Sequence, residues 1–193
     1  NEEFQIKFIN HFCYYLNTRF NPSFVANHIL DILNNISTEI PNHINRWGGD
    51  LDEWYQNVNF LQQFGAQRAN IVFGHLGEYF NNSNNMSDLV ITYEPLDAGI
   101  LSTSDQVIPQ NPWTALYFND IPIEISATPK FGYLFSHWEG VNSNEETITV
   151  TLNNNLNLNA VFVESNDRIY INEFLAINDN VAADESDEFD DWL

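Results

Sequence analysis

The sequence predicts a multidomain chain in which a helical segment is followed by a small antiparallel all-β unit and then by the start of a further β domain. Three observations predict this order. Apolar residues recur every three or four positions up to Phe80, alternate with polar residues from about Leu89 to Phe162, and give way to carboxylates after Asn166. The first period is that of amphipathic helices, and the second is that of strands with one solvent-exposed face.

The helical segment, residues 1–80, begins with two predicted helices. The first has an apolar stripe made of Phe4, Phe8, Ile9, Phe12, Tyr15 and Leu16. Asn21 is the expected N-cap of the second helix, because proline is favoured at the first helical position and Pro22 follows it. The apolar face of this helix continues to Ile40, where Pro41 interrupts it.

Two or three more helices are predicted before the segment ends. A short one runs from Pro41 to Trp47 and is stopped by Gly48-Gly49. Asp50 is expected to cap the next helix, whose apolar face extends to Phe64, and a separate last helix spans residues 71–80.

Residues 81–88 are polar and turn-prone and predict a linker. The β unit, residues 89–165, shows strand patterns at Leu89–Glu94, Ile123–Thr128, Thr147–Leu152 and Leu156–Phe162. Because the linker has no apolar anchor, we expect the helical and β units to fold separately.

The last segment, residues 166–193, has a strand-like run at Ile169–Ile177 followed by clustered carboxylates. Such a cluster suggests calcium, but the EF-hand spacing is absent and a solvated acidic turn is favoured. The first residue is Asn1 and the sole methionine is Met86, so a processed chain or a fragment is expected. The apolar pair Trp192-Leu193 suggests that the sequence stops inside a domain.

The charge balance excludes two classes of partner. Six Lys and Arg residues stand against 27 Asp and Glu, a formal net charge of −21. A nucleic-acid backbone or an anionic bilayer surface would be repelled by that field. No apolar run approaches the ~18–20 residues of a transmembrane helix, so neither nucleic-acid binding nor a transmembrane segment is predicted.

The sequence contains no self-contained active site. Gly-rich phosphate loops, the G-x-S-x-G elbow and the H-E-x-x-H helix are all absent. Cys13 is predicted to be a buried apolar residue. Arg19, Arg46 and Arg68 are predicted near helix ends, because the helix dipole favours cations at the C-terminus. The histidines are scattered, at His11, His28, His43, His75 and His137. No catalytic, cofactor-binding or metal-binding residue is therefore assigned.

Five short blocks in the helical segment resemble one family. They are Phe8–Phe12, Leu16–Pro22, Ile40–Gly48, Leu51–Trp54 and Phe64–Arg68. Their order and spacing resemble the carboxy-terminal helical part of the spore-coat-protein-H (CotH) kinase family, through about His75-Leu76. Asn42, where a basic residue is expected, and Ala69-Asn70, where a proline-containing step is expected, depart from the pattern.

The resemblance implies an atypical secreted kinase that transfers phosphate from ATP with Mg²⁺. The lysine and carboxylates for that chemistry belong to the family's amino-terminal part, which would precede Asn1. No cofactor is therefore expected within residues 1–193, and whether the parent protein is active is left open.

Two further resemblances follow. The blocks Ile125–Pro129, Gly132–Gly140, Thr147–Leu152 and Leu158–Phe162 look like a divergent internalin-B-type B repeat, in which Phe135 and Trp138 are expected to be core anchors rather than a sugar platform. Residues Ile169–Ala176 and Glu188–Leu193 resemble the opening of a bacterial lamin-tail domain.

Together these resemblances imply the non-catalytic C-terminal part of an exported bacterial CotH-like kinase with appended β interaction modules. The expected partners are proteins or cell-surface components, and the expected location is extracellular or at the cell surface. The alternative is a structural or adhesive surface protein with a degenerate kinase-like region. A lysine and paired carboxylates upstream would favour the enzyme.

Overall fold

A computed structural model describes residues 1–81 and 85–166, together with the isolated positions 183, 186 and 187. The strand predicted at Ile169–Ile177 and most of the acidic run lie outside the described residues. The lamin-tail resemblance and the calcium alternative therefore stay predictions.

Four helices form the first part of the chain: α1 (Glu2–Asn17), α2 (Pro22–Ile36), α3 (Ile40–Trp47) and α4 (Leu51–Tyr79). The predicted caps are confirmed. The side chain of Asn21 accepts a hydrogen bond from Ser23 N at 2.9 Å, and that of Asp50 accepts one from Glu53 N at 2.8 Å. Both contacts satisfy amide groups that the first turn of a helix leaves unpaired.

The prediction of separate helices before and after residues 65–70 is wrong, because α4 is continuous from Leu51 to Tyr79. No proline interrupts this stretch, and Gly65 serves the packing of α4 rather than its termination. A Cβ at Gly65 would lie 2.6 Å from Val25 Cγ1, so the glycine lets α2 approach α4 closely.

The second part of the chain is a sandwich of two four-stranded sheets, in the order β4-β1-β8-β6 and β3-β2-β5-β7. The strands are β1 (Met86–Glu94), β2 (Gly99–Thr103), β3 (Gln106–Val107), β4 (Trp113–Phe118), β5 (Pro122–Pro129), β6 (Tyr133–Glu139), β7 (Thr147–Thr151) and β8 (Leu156–Glu164). The predicted order of a helical unit followed by an all-β unit is confirmed.

Two details of the β unit differ from the sequence predictions: the unit is not purely antiparallel, and its first strand begins before residue 89. β1 and β8 run parallel, with Leu89 opposite Leu156 and Glu94 opposite Val161. Six strands, divided between the two sheets, separate β1 from β8 along the chain, and a connection of this length allows a parallel pair. In addition, β1 begins at Met86, so a strand occupies residues 86–88 of the segment predicted as a linker.

The expectation that the two units fold separately is wrong, because α1 belongs to the core of the sandwich. Ile9, Cys13 and Leu16 are almost fully buried, in the same apolar cluster as Tyr117 and Phe118 of β4. The periodicity of α1 predicts an apolar face but does not show that this face packs on strands about a hundred positions away in the sequence.

Candidate functional site

The inner face of α1 is held on the sandwich by hydrogen bonds from its side chains to β-unit backbone. Asn17 Nδ2 donates to Leu116 O, and Leu116 N donates to Asn17 Oδ1, both at 2.9 Å. His11 Nε2 lies 2.9 Å from Ser104 O, and Tyr14 Oη donates to Val107 O at 2.7 Å. These bonds fix the position of α1 along its axis as well as its rotation.

Two more contacts extend this joint. Asn10 Nδ2 donates to Pro122 O at 2.8 Å, and Tyr15 Oη donates to Gln106 Oε1 at 3.3 Å. Asn10 Oδ1 is buried and makes no hydrogen bond within the described part of the chain. We call the set Asn10, His11, Tyr14, Tyr15 and Asn17 the α1 seam.

Beneath the α1 seam the environment is apolar and suppresses ionisation. Burial raises the pKa of the Cys13 thiol from 9.0 to about 12. Burial also raises the pKa of the Tyr117 phenol above its ordinary value, although the Thr103 hydroxyl, 3.2 Å from the phenol oxygen, opposes the shift. Neither group is an activated nucleophile, and Cys13 is buried as predicted.

The outer face of α1 forms an aromatic groove with the last turns of α4. The rings of Phe4 and Phe8 have centroids 6.0 Å apart, those of Phe8 and Phe12 are 4.7 Å apart, and Phe8 lies 5.8 Å from Phe80. A cavity of about 700 Å³ opens here, with Val72 and Leu76 among its lining residues.

The described residues with polar groups that line this groove are Asn1, Gln5, Arg68, His75 and Tyr79, and no carboxylate of the described residues lines it. Such a lining is suited to holding an apolar surface or ligand. Among the residues that the structure describes, no nucleophile, base and electrophile converge in the groove.

Apolar exposure continues over the other helices. α2 and α3 contain no fully buried residue. Large apolar side chains that remain exposed on the helical unit include Phe24, Leu30, Ile32, Ile36, Trp47, Tyr55, Phe60, Leu61, Phe64 and Ile71. Exposure of so many large apolar side chains is typical of a surface that another protein or domain covers.

The cationic side chains of the described residues act locally. Lys7 pairs with Glu3 at 3.8 Å, and Lys130 pairs with Asp97 at 3.9 Å. The guanidinium groups of Arg19, Arg46 and Arg68 lie 5.0–5.7 Å from the ring centroids of Phe24, Trp47 and Phe64. These cations therefore do not converge on a common anion.

The predicted positions of the arginines are only partly correct. Arg46 lies in the last turn of α3, as expected. Arg68 lies in the interior of α4 rather than near a helix end, because the two predicted helices are one. It covers an aromatic ring instead of a helix terminus.

The histidines do not come together as ligands. His28 stacks on Phe24, His43 is exposed on α3, and His137 Nδ1 lies 3.0 Å from Ser136 Oγ. Across residues 1–81 and 85–166, no group of three or more His, Cys, Asp or Glu side chains could hold a metal ion. None of the described helices is both long and apolar enough to cross a bilayer.

In the β unit, Trp138 lies in the core, as predicted, and the half-buried Phe135 packs against that core. Trp138 is 2% exposed, and its Nε1 donates to Glu145 O at 3.0 Å. The Phe135 ring lies 5.6 Å from Trp138 and 5.8 Å from Phe162. The buried Trp138 ring is therefore not available as a sugar-stacking platform.

The α1 seam and the aromatic groove are the features that sequence reasoning missed. A signal was present, because α1 has large apolar residues on more than one face: Phe4, Phe8 and Phe12 on one, and Ile9, Cys13 and Leu16 on another. A helix with two apolar faces contacts two surfaces.

Comparison with known proteins supports both units. Residues 1–72 match the CotH kinase protein family, and residues 117–166 match the divergent InlB B-repeat domain. The second match includes β5 to β8 and the end of β4, but not β1, which lies between β4 and β8 in the sheet. No curated protein and no solved structure matches the chain.

Proposed function

We propose that this chain is the non-catalytic C-terminal part of an exported, surface-associated bacterial CotH-like kinase, with β modules that bind proteins or cell-surface components. In this proposal the helical unit is a supporting lobe. The catalytic lysine and metal-binding carboxylates lie upstream in the same protein, and ATP and Mg²⁺ bind there. Residues 166–193 begin a lamin-tail-like domain.

The observation that carries the proposal is the exposed apolar surface of a helical unit whose residues 1–72 match the CotH kinase protein family. An aromatic groove such as that of Phe4, Phe8 and Phe12 is expected on a lobe that packs against another domain. Local use of the described cations supports the non-catalytic assignment, because phosphoryl transfer needs cations that converge on the phosphates.

The test is to join the chain to the upstream region of its parent protein and to measure phosphoryl transfer from labelled ATP. The upstream region should be folded, soluble and active in phosphoryl transfer only when the helical unit is present. Phe8→Glu, which puts a charge in the aromatic groove, should reduce activity at least tenfold. The matched control Phe131→Glu changes an exposed ring of the β unit and should leave activity unchanged.

Two results would overturn the proposal. Full transfer activity of the upstream region without the helical unit would remove the supporting role. An upstream sequence with no lysine and paired carboxylates in suitable order would favour the alternative, a structural or adhesive protein with a degenerate kinase-like region.

A further inference from the structure

We propose that the β unit is a helix-binding module and that α1 is the helix it binds. The inference is independent of the proposed function, since it concerns how the two units are joined. It predicts that the units hold together without the covalent connection through residues 82–84.

The polar part of the binding surface on the β unit is made mainly of backbone groups, with the side-chain oxygen Gln106 Oε1 as a further acceptor. The backbone acceptors are the carbonyl oxygens of Ser104, Val107, Leu116 and Pro122, and the backbone donor is Leu116 N. These groups come from the β2–β3 turn, β3, β4 and the start of β5. A surface of this kind selects a partner by the position of its polar side chains rather than by charge.

Asn17 completes the edge of a sheet. β4 is an edge strand, and both the N–H and the C=O of Leu116 bond to the Asn17 amide instead of to β1. The amide thus takes the place of a further strand at that position. An exposed strand edge is a site of unwanted pairing, so this contact also protects β4.

The helix must have a defined pattern to fit. Asn10, Tyr14 and Asn17 are spaced by four and three residues, which places them on one side of α1. Ile9, Cys13 and Leu16 lie beside them and fill the apolar part of the joint. The partner is therefore an amphipathic helix in which an Asn-x₃-Tyr-x₂-Asn row flanks an apolar row.

The experiment uses the full chain with a protease recognition sequence in place of residues 82–84. After complete cleavage, the fragments are analysed by size exclusion and native mass spectrometry, and their dissociation constant is measured by dilution. We expect fragments 1–81 and 85–193 to remain a 1:1 complex.

Three variants test whether the Asn17 amide determines the affinity of the cleaved fragments. Asn17→Ala should weaken the cleaved complex by about 10- to 100-fold, because it removes the two hydrogen bonds to Leu116 and leaves the Leu116 groups unpaired. Asn17→Asp should weaken it as well, because a carboxylate keeps the acceptor but faces Leu116 O without a donor. The control Asn35→Ala makes the same change at an exposed position of α2 and should have no effect.

Each variant is first checked uncleaved by circular dichroism, so that loss of binding is separated from loss of folding. Separation of the wild-type fragments on cleavage, or their joint unfolding, would overturn the proposal. So would equal affinity for the Asn17→Ala and Asn35→Ala complexes.

Discussion

Truncation of one buried side chain on α1 should destabilise the β unit as much as the helical unit. Ile9 is 1% exposed and belongs to the same apolar cluster as the sandwich. Ile9→Ala removes its outer carbons and leaves a cavity at the junction. Ile32→Ala is the matched control, since Ile32 lies on α2 and is 49% exposed.

The expected magnitudes differ clearly. A large-to-Ala change at a fully buried site costs about 2–5 kcal/mol in the free energy of unfolding. The control loses at most about 1 kcal/mol, because only half of the side chain is withdrawn from water.

Urea unfolding gives the stability change, and amide hydrogen exchange shows where it acts. Protection in β4 (Trp113–Phe118) and β5 (Pro122–Pro129) should fall together with protection in α1. If Ile9→Ala lowered protection only within residues 1–81, α1 would not be part of the sandwich core.

Three further predictions concern packing, ionisation and exposure. Gly99→Ala should destabilise the chain by about 1–3 kcal/mol, because the new Cβ would clash with the Phe162 ring. Gly74→Ala should instead stabilise α4 by about 0.5–1 kcal/mol, because its new Cβ would have no atom within contact distance. Thermal unfolding measures both changes. Because burial raises the pKa of the Cys13 thiol from 9.0 to about 12, the folded state keeps a proton that the unfolded state loses in this pH range. The free energy of unfolding should therefore fall as pH rises from about 9 to 12, and the fall should be smaller in Cys13→Ala. Urea unfolding at several pH values measures it. Phe8→Glu should reduce the fluorescence of a bound apolar dye, and an unchanged signal would show that the aromatic groove does not bind it.

Local features of the fold could be predicted from the sequence. Asn21 and Asp50 cap helices because a short polar side chain directly before an apolar helical period can accept a hydrogen bond from an amide of the first turn. Gly48 ends α3 at a φ of +82°, a backbone conformation that favours glycine.

Long-range features could not be predicted. Nothing near Asn17 in the sequence indicates that its amide pairs with Leu116, and nothing near Leu89 indicates a parallel partner in Leu156. The continuity of α4 was missed because residues 65–70 carry no large apolar side chain, although Gly65 and Ala69 are buried and Gly65 admits Val25. The aromatic groove was hidden because the stripe of Phe4, Phe8 and Phe12 fits a buried helix face equally well.

Calorimetry of the chain with ATP and Mg²⁺, combined with a labelled phosphoryl-transfer assay, tests the proposal that residues 1–193 support a kinase without carrying its chemistry. We expect no stoichiometric nucleotide binding and no autophosphorylation, because the cations of the described residues are engaged locally. Binding of one nucleotide per chain, or transfer of label to the protein, would contradict it.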